Sequence, residues 1–170
     1  MADLRIAGII EESITDGPGI RFVVFAQGCR HNCPGCHNPQ THSFNGGKLM
    51  STDSILEMVK KNPLLDGITL SGGEPFEQAE GFAELSLKAK KLGIHIMTYT
   101  GYTYENICKL MDEKPGWKEL LENTDILVDG PFELEKRNIS LRFRGSENQR
   151  IIDVKKSLEN NKVTLAEEMQ

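Results

Sequence analysis

Apolar residues fall into short β-rich runs separated by longer stretches with helical spacing, and this alternation predicts repeated βα units. Residues 20–26 are apolar, β-branched or aromatic apart from Arg21, the composition of a strand buried on both faces. Residues 51–62 open on the cap-rich Ser51, Thr52 and Asp53, carry Ile55, Leu56 and Val59, and stop at Pro63, which predicts a helix. A short strand at 67–70 runs into Ser71-Gly72-Gly73-Glu74-Pro75. Phe76, Ala79, Ala83 and Leu87 then recur at roughly helical spacing over 76–92, with Gly93 as the C-terminal cap. Strands are predicted at 94–98, 125–128 and 150–154, and helices at 102–113, 117–122 and 155–159. Residues 129–145 read as irregular.

Four or five such units imply an α/β domain with parallel strands joined by right-handed crossovers. A complete eight-unit barrel takes about 250 residues. The 170 residues here suffice for a partial TIM-like (βα) barrel or a small doubly wound sheet. We read one domain over 1–170, with a core of about 16–154 and a polar tail, 160–170, expected to fray. Either architecture places function at the C-terminal ends of the strands. Residues 27–36, Gly72-Gly73-Glu74-Pro75, the Thr98/Thr100/Gly101 group and Asp129-Gly130-Pro131 each follow a predicted strand, so they are expected on one rim.

Composition narrows the function classes. The chain is 38% hydrophobic and 26% charged, as in soluble globular proteins. Its net charge of −5 argues against nucleic acid as a partner, because phosphate binding relies on clustered Lys and Arg. The densest basic stretch, 137–150, is interleaved with Glu147. No apolar run reaches the ~18–20 residues of a membrane span, and the first residues lack a signal-peptide core. A cytoplasmic protein with no membrane partner is expected. Its cysteines would stay reduced, so a tight thiol cluster reads as a metal site before it reads as disulfides.

Such a cluster is present. Cys29, Cys33 and Cys36 follow the first predicted strand in C-x3-C-x2-C spacing, and Pro34 and Gly35 help the loop fold back. Closed zinc sites and standard iron–sulfur sites use four protein ligands. Cys108 lies in a predicted helix and reads as a packed small hydrophobe. Three ligands imply a centre with one open position. The residues alone leave three readings: an iron–sulfur centre, zinc with His31, His37 or His42 as fourth ligand, or no metal.

The cysteine spacing after one strand, with Gly-Gly-Glu-Pro after the next, resembles the radical S-adenosylmethionine (SAM) superfamily. The resemblance implies that Cys29, Cys33 and Cys36 hold a 4Fe–4S cluster whose fourth iron is chelated by SAM. It implies that Gly72, Gly73 and Glu74 meet the SAM ammonium, and that Gly35 and His37, flanking Cys36, lie by the adenine. Many relatives carry an aromatic where Gly35 stands, so a backbone contact to adenine is expected there. Taken alone, Gly72-Gly73-Glu74-Pro75 also reads as a turn opening a helix, with Pro75 at the first helical position.

A narrower resemblance lies in Asp16-Gly17-Pro18-Gly19-Ile20-Arg21-Phe22 and Gln27-Gly28-Cys29, which are similar to the activases of glycyl-radical enzymes. Pyruvate formate-lyase activases share the Asp-Gly-Pro-Gly and Gly-Gly-Glu-Pro segments but are longer. Anaerobic ribonucleotide reductase activating proteins are short, share Cys33-Pro34-Gly35-Cys36, and carry a late segment matching residues 144–154. We favour the latter, with the former as the alternative and a non-catalytic zinc module behind both. The resemblance implies two partners, the glycyl-radical subunit of the reductase and a low-potential electron donor such as flavodoxin. A short, incomplete barrel would leave a lateral opening for the partner's glycine loop. Asp129 either contacts SAM or caps a turn, and Thr98 and Thr100 are either site residues or ordinary β-branched strand residues. Arg144 and Arg150 pair either with the SAM carboxylate or with Glu147.

Overall fold

A computed structural model describes residues 2–169. Among them a seven-stranded sheet contains β1 (Asp3–Ser13), β2 (Arg21–Ala26), β3 (Lys48–Ser51), β4 (Gly67–Gly72), β5 (His95–Tyr99), β6 (Ile126–Asp129) and β7 (Arg150–Asp153), in the order β3-β1-β2-β4-β5-β6-β7. Helices α1 (Thr52–Lys60), α2 (Ala79–Lys91), α3 (Tyr104–Leu110), α4 (Trp117–Glu122) and α5 (Val154–Asn160) accompany it.

The expected parallel sheet is confined to the centre. β2, β4, β5 and β6 pair in parallel, whereas β1 pairs antiparallel with β2 and β3, and β7 antiparallel with β6. The connections explain the difference. A parallel neighbour needs a crossover, which α1, α2 and the α3–α4 pair supply. Residues 14–20 and 130–149 contain no α-helix, so the chain turns back on itself. The architecture is therefore a mixed α/β sheet with a parallel core, and two of its strands, β1 and β3, were not predicted.

Alternate residues of the strands build two cores. Phe22 and Val24, Ile68 and Leu70, Ile96, Leu127 and Ile152 join Ile55, Phe82, Leu85, Ile107 and Leu120 from the helices. Met97, Ile126, Val128 and Ile151 face the other way and are covered by Ala166 and Met169. In the structure the tail lies against the sheet: Asp153 N donates to Thr164 O at 2.8 Å, and Ala166 N to Ile151 O at 3.0 Å. The second sheet face needs apolar cover, and Ala166 and Met169 provide it; Gln170 lies outside the described residues.

Arg21, 1% exposed, lies on that second face below the loop 14–20. Its guanidinium donates to Thr69 Oγ1 (2.9 Å), Pro18 O (3.2 Å), Ile68 O (2.9 Å) and His95 Nδ1 (3.1 Å). Thr69 Oγ1 in turn donates to Asp16 O at 2.8 Å, so the arginine fixes the start of β2 and the loop before it. Burial pulls its pKa down to about 10, and it remains a cation at neutral pH. Burial first, and the Arg21 charge second, hold His95 below its ordinary value of 6.5.

Replacing Arg21 by Leu strands several buried acceptors, and urea unfolding should show a loss of about 2–4 kcal/mol. A His95 pKa below 6.5 in the folded state means that its contribution is complete above pH 6.5 and is lost as pH falls through the lower folded value. Stability measured between pH 7 and 5 should therefore decline less in His95→Gln than in wild type.

Candidate active site

β2 ends beneath the cysteine loop. Gly28 has φ +111, and a Cβ there would meet the Phe44 ring at 2.6 Å, so only glycine lets the chain leave the strand at this angle. The loop closes through Gly28 N to Thr41 O (2.7 Å), Cys29 N to His42 O (3.1 Å) and Gln27 Nε2 to Ser43 O (2.6 Å). Inside it, Cys36 N donates to Cys33 O at 3.1 Å, closing the turn around Pro34 and Gly35. Cys29, Cys33 and Cys36 line one cleft of about 530 Å³, together with His37, His42, Gly72, Gly73, Gly101, Gly130, Phe132 and Arg144. All four predicted rim segments thus border the cleft.

Gly72 and Gly73 stand where no side chain fits. A Cβ on Gly72 would lie 2.6 Å from Ala26 N, and one on Gly73 2.5 Å from Gly28 O. Glu74 turns away from the cleft. It is fully buried; Oε1 accepts from His31 Nε2 (2.6 Å) and Gly101 N (2.8 Å), and Oε2 from Thr100 Oγ1 (2.8 Å) and Phe76 N (3.1 Å). A carboxylate has about four acceptor positions, and in this structure these four donors take them all.

Two further expectations change. Thr98 faces the helical side, where its hydroxyl bonds Thr124 Oγ1 at 2.9 Å, because strand residues alternate and Tyr99 faces the cleft. Asp129 is buried, accepts from Tyr104 N (2.8 Å) at the start of α3, and binds Arg150 Nε at 3.0 Å. Arg150 also reaches Glu105 Oε1 at 2.6 Å, and these carboxylates hold its pKa above the usual arginine value. Arg150 and Asp129 therefore tie β6, β7 and α3 together. Arg144 remains at the cleft. Its Nη1 donates to Gln149 O (2.7 Å), while its buried Nε, like His42 Nε2, has no hydrogen-bond partner among the described residues.

Residues 130–149 form a cover over the cleft. Gln149 Oε1 accepts from Gly145 N (2.8 Å) and Ser146 N (3.1 Å), and Tyr99 Oη donates to Phe143 O at 2.5 Å. Phe143 is held at φ +61, which sets the turn that presents Arg144. The Phe132 ring lies 5.1 Å from His37, and Leu134 Cδ1 occupies the space where a Gly35 Cβ would point, at 2.8 Å. Tyr99, Phe132 and Phe143 were missed in the sequence; an aromatic at a strand end or in the irregular stretch beyond it was the available signal.

The 4Fe–4S single cluster domain model matches residues 15–152. The anaerobic ribonucleoside-triphosphate reductase-activating protein of Enterobacteria phage T4 is 33% identical over 142 residues, covering 80% of this chain and 85% of that one. Its namesake from Escherichia coli (strain K12) is 34% identical over 144 residues, 80% of this chain and 90% of that one. The pyruvate formate-lyase-activating enzyme of Clostridium pasteurianum is 37% identical over 130 residues, and the chain spans 50% of its length. The chain belongs to the 4Fe–4S single cluster domain family, of radical SAM type.

The residues present suit the family's cluster. The three thiols share a cleft, and Cys36 Sγ accepts a backbone hydrogen bond from Asn38 N at 3.4 Å. Such bonds stabilise thiolate ligands and tune cluster potentials. Among the described residues no three His, Cys, Asp or Glu side chains close on one point as a single ion requires. A cluster asks less, since its thiolates bind different irons. As free thiols Cys29 and Cys33 are held in the protonated form by burial, which raises Cys29 to about 11, and metal binding must release those protons. Cys108 packs against the main core from α3, away from the cleft lining. His31 is directed to Glu74; burial opposes its charge, and the carboxylate outweighs this and raises its pKa.

Tyr99→Phe removes the hydroxyl that holds Phe143 O. Hydrogen exchange at residues 143–146 should then quicken by about five- to tenfold, the equivalent of one hydrogen bond of ~1–1.4 kcal/mol. Unchanged protection would mean that the cover is held elsewhere.

Proposed function

We propose that this protein is the activase of an anaerobic ribonucleoside-triphosphate reductase, generating a glycyl radical on that partner by reductive cleavage of SAM. The observation that carries the reading is the placement of Cys29, Cys33 and Cys36 and the Gly72-Gly73 turn on one cleft, within a chain that spans most of the phage and bacterial reductase activators it matches. A 4Fe–4S cluster held by Cys29, Cys33 and Cys36 would supply the electron for cleaving SAM at its C5′–S bond into methionine and a 5′-deoxyadenosyl group that would take a hydrogen atom from the partner's glycine.

The protein's own residues hold and shield these groups. Cys29, Cys33 and Cys36 bind three irons and leave the fourth to SAM. Gly72 and Gly73 offer backbone carbonyls to the ammonium, since nothing projects from them. Arg144 is the cation for the carboxylate: it lines the cleft with its Nε unpartnered, whereas Arg150 is engaged by Asp129 and Glu105. Phe132, His37 and Gly35 lie at the adenine end. No side-chain base is required, because hydrogen leaves as an atom. The cover 130–149 keeps water from the cleft. We read the open sheet as a partial barrel whose lateral gap admits the glycine loop. A cytoplasmic location and a flavodoxin-like donor complete the proposal; among the described residues no helix is long and apolar enough to cross a membrane.

The 37% identity to a formate-lyase activase keeps that partner as the second reading. Reduced protein, SAM and either partner should be mixed anaerobically and examined by electron paramagnetic resonance. A glycyl doublet on the reductase is expected; a doublet on a formate-lyase alone selects the second reading. Replacing Cys29, Cys33 or Cys36 by Ala should abolish 5′-deoxyadenosine formation, measured by chromatography, whereas Cys108→Ala should retain it.

A further inference from the structure

The four donors on Glu74 come from three segments of the rim. His31 belongs to the cysteine loop, Thr100 and Gly101 to the loop after β5, and Phe76 N to the 3-10 turn Pro75–Gln78 after β4. His31 lies between Cys29 and Cys33, so its 2.6 Å bond to Glu74 grips the loop near its middle. Its imidazole is also confined by its neighbours. The Tyr102 ring meets it edge-on at 4.5 Å, and Tyr102 Oη is itself fixed on Glu77 Oε1 at 2.7 Å. Gly101 completes the seat, since a Cβ there would fall 2.4 Å from His31 Cδ2. The next residue, Asn32, is held at φ +48, a left-handed backbone that sustains itself only where the surroundings impose it.

We infer that Glu74 is a positioning residue for the cluster-binding loop, acting through His31, rather than a ligand of SAM. The inference rests on the cluster-and-SAM reading above. A carboxylate just past the end of β4, bonded to two backbone amides, gives the cysteine loop a fixed point. Through His31 that point sets where Cys29 and Cys33 present their sulfurs. Glu74 N also donates to Gly28 O at 2.8 Å, so backbone and side chain of one residue hold both the start and the middle of the loop.

The test compares anaerobically reconstituted wild type with Glu74→Gln, His31→Ala, the double variant and His31→Gln, whose amide nitrogen can replace the imidazole donor. Iron release to a ferrous chelator reads loop positioning. Titrating the resonance signal of the intact cluster with SAM reads ligand binding separately. Glu74→Gln and His31→Ala should each release iron about tenfold faster, the scale on which partners of metal ligands act. The double variant should be no faster than either single one, His31→Gln should recover most of the retention, and SAM affinity should stay within about twofold. Two results would overturn the inference: tenfold weaker SAM binding by Glu74→Gln at full iron content, or multiplied effects in the double variant. Should Glu74→Gln fail to fold by circular dichroism, the His31 pair carries the comparison. Hydrogen exchange over residues 29–36 in cluster-free protein should rise equally in the two single variants. That readout separates failure of the strut from failure of the cluster reading, which a wild type unable to hold iron would signal.

Discussion

The site depends on the parallel pairing of β2 with β4. Their register sets Ala26 opposite Gly72, so the cysteine loop and the glycine turn leave the sheet at the same level and side by side. The approach is too close for side chains. Both turn glycines would drive a Cβ into the backbone of residues 25–28, and Gly73 N and Glu74 N instead donate to Ala26 O and Gly28 O at 2.7 and 2.8 Å. Register, turn and loop therefore form one backbone unit. Three thiols and a pair of open carbonyls are placed together before any cofactor arrives, which lowers the ordering entropy that binding must overcome.

Around that unit, buried charges serve architecture. Arg21 pins the loop before β2, Glu74 joins three rim segments, and Asp129 with Arg150 and Glu105 ties the last two strands to α3. The buried members, Arg21, Glu74 and Asp129, all find hydrogen-bonding partners within the protein, as buried ionic groups must. What faces the cleft is a mixed set: the three thiols, the glycine peptide groups, aromatic rings, Asp16, His37, His42 and the Arg144 guanidinium.

Much of the central sheet was legible because its strands are buried on both faces and read as continuous apolar runs. β1 was not, since Gly8 and two register irregularities interrupt its alternation, and β3 is only four residues long. The antiparallel return of β7 depends on residues 130–149 lacking a crossover helix, which apolar pattern alone does not specify. At the site, the cysteines and glycines were legible because spacing and backbone freedom carry their chemistry. For Thr98 and Asp129 the sequence left a site role and a structural role open, and in the structure their polar atoms are engaged by Thr124, Tyr104 and Arg150. A motif fixes position along the chain, whereas orientation follows from strand parity and from which donors burial leaves nearby. The tail looked polar, yet Ala166 and Met169 close the second core.

The central claim is that three cysteines hold a cluster whose open iron is the seat of SAM. Electron paramagnetic resonance of the anaerobically reduced protein, recorded before and after SAM is added, tests it most directly. The account predicts the signal of a single reduced 4Fe–4S centre whose g-values change on adding SAM. A reduced protein with no iron–sulfur signal, or with a signal indifferent to SAM, would contradict it.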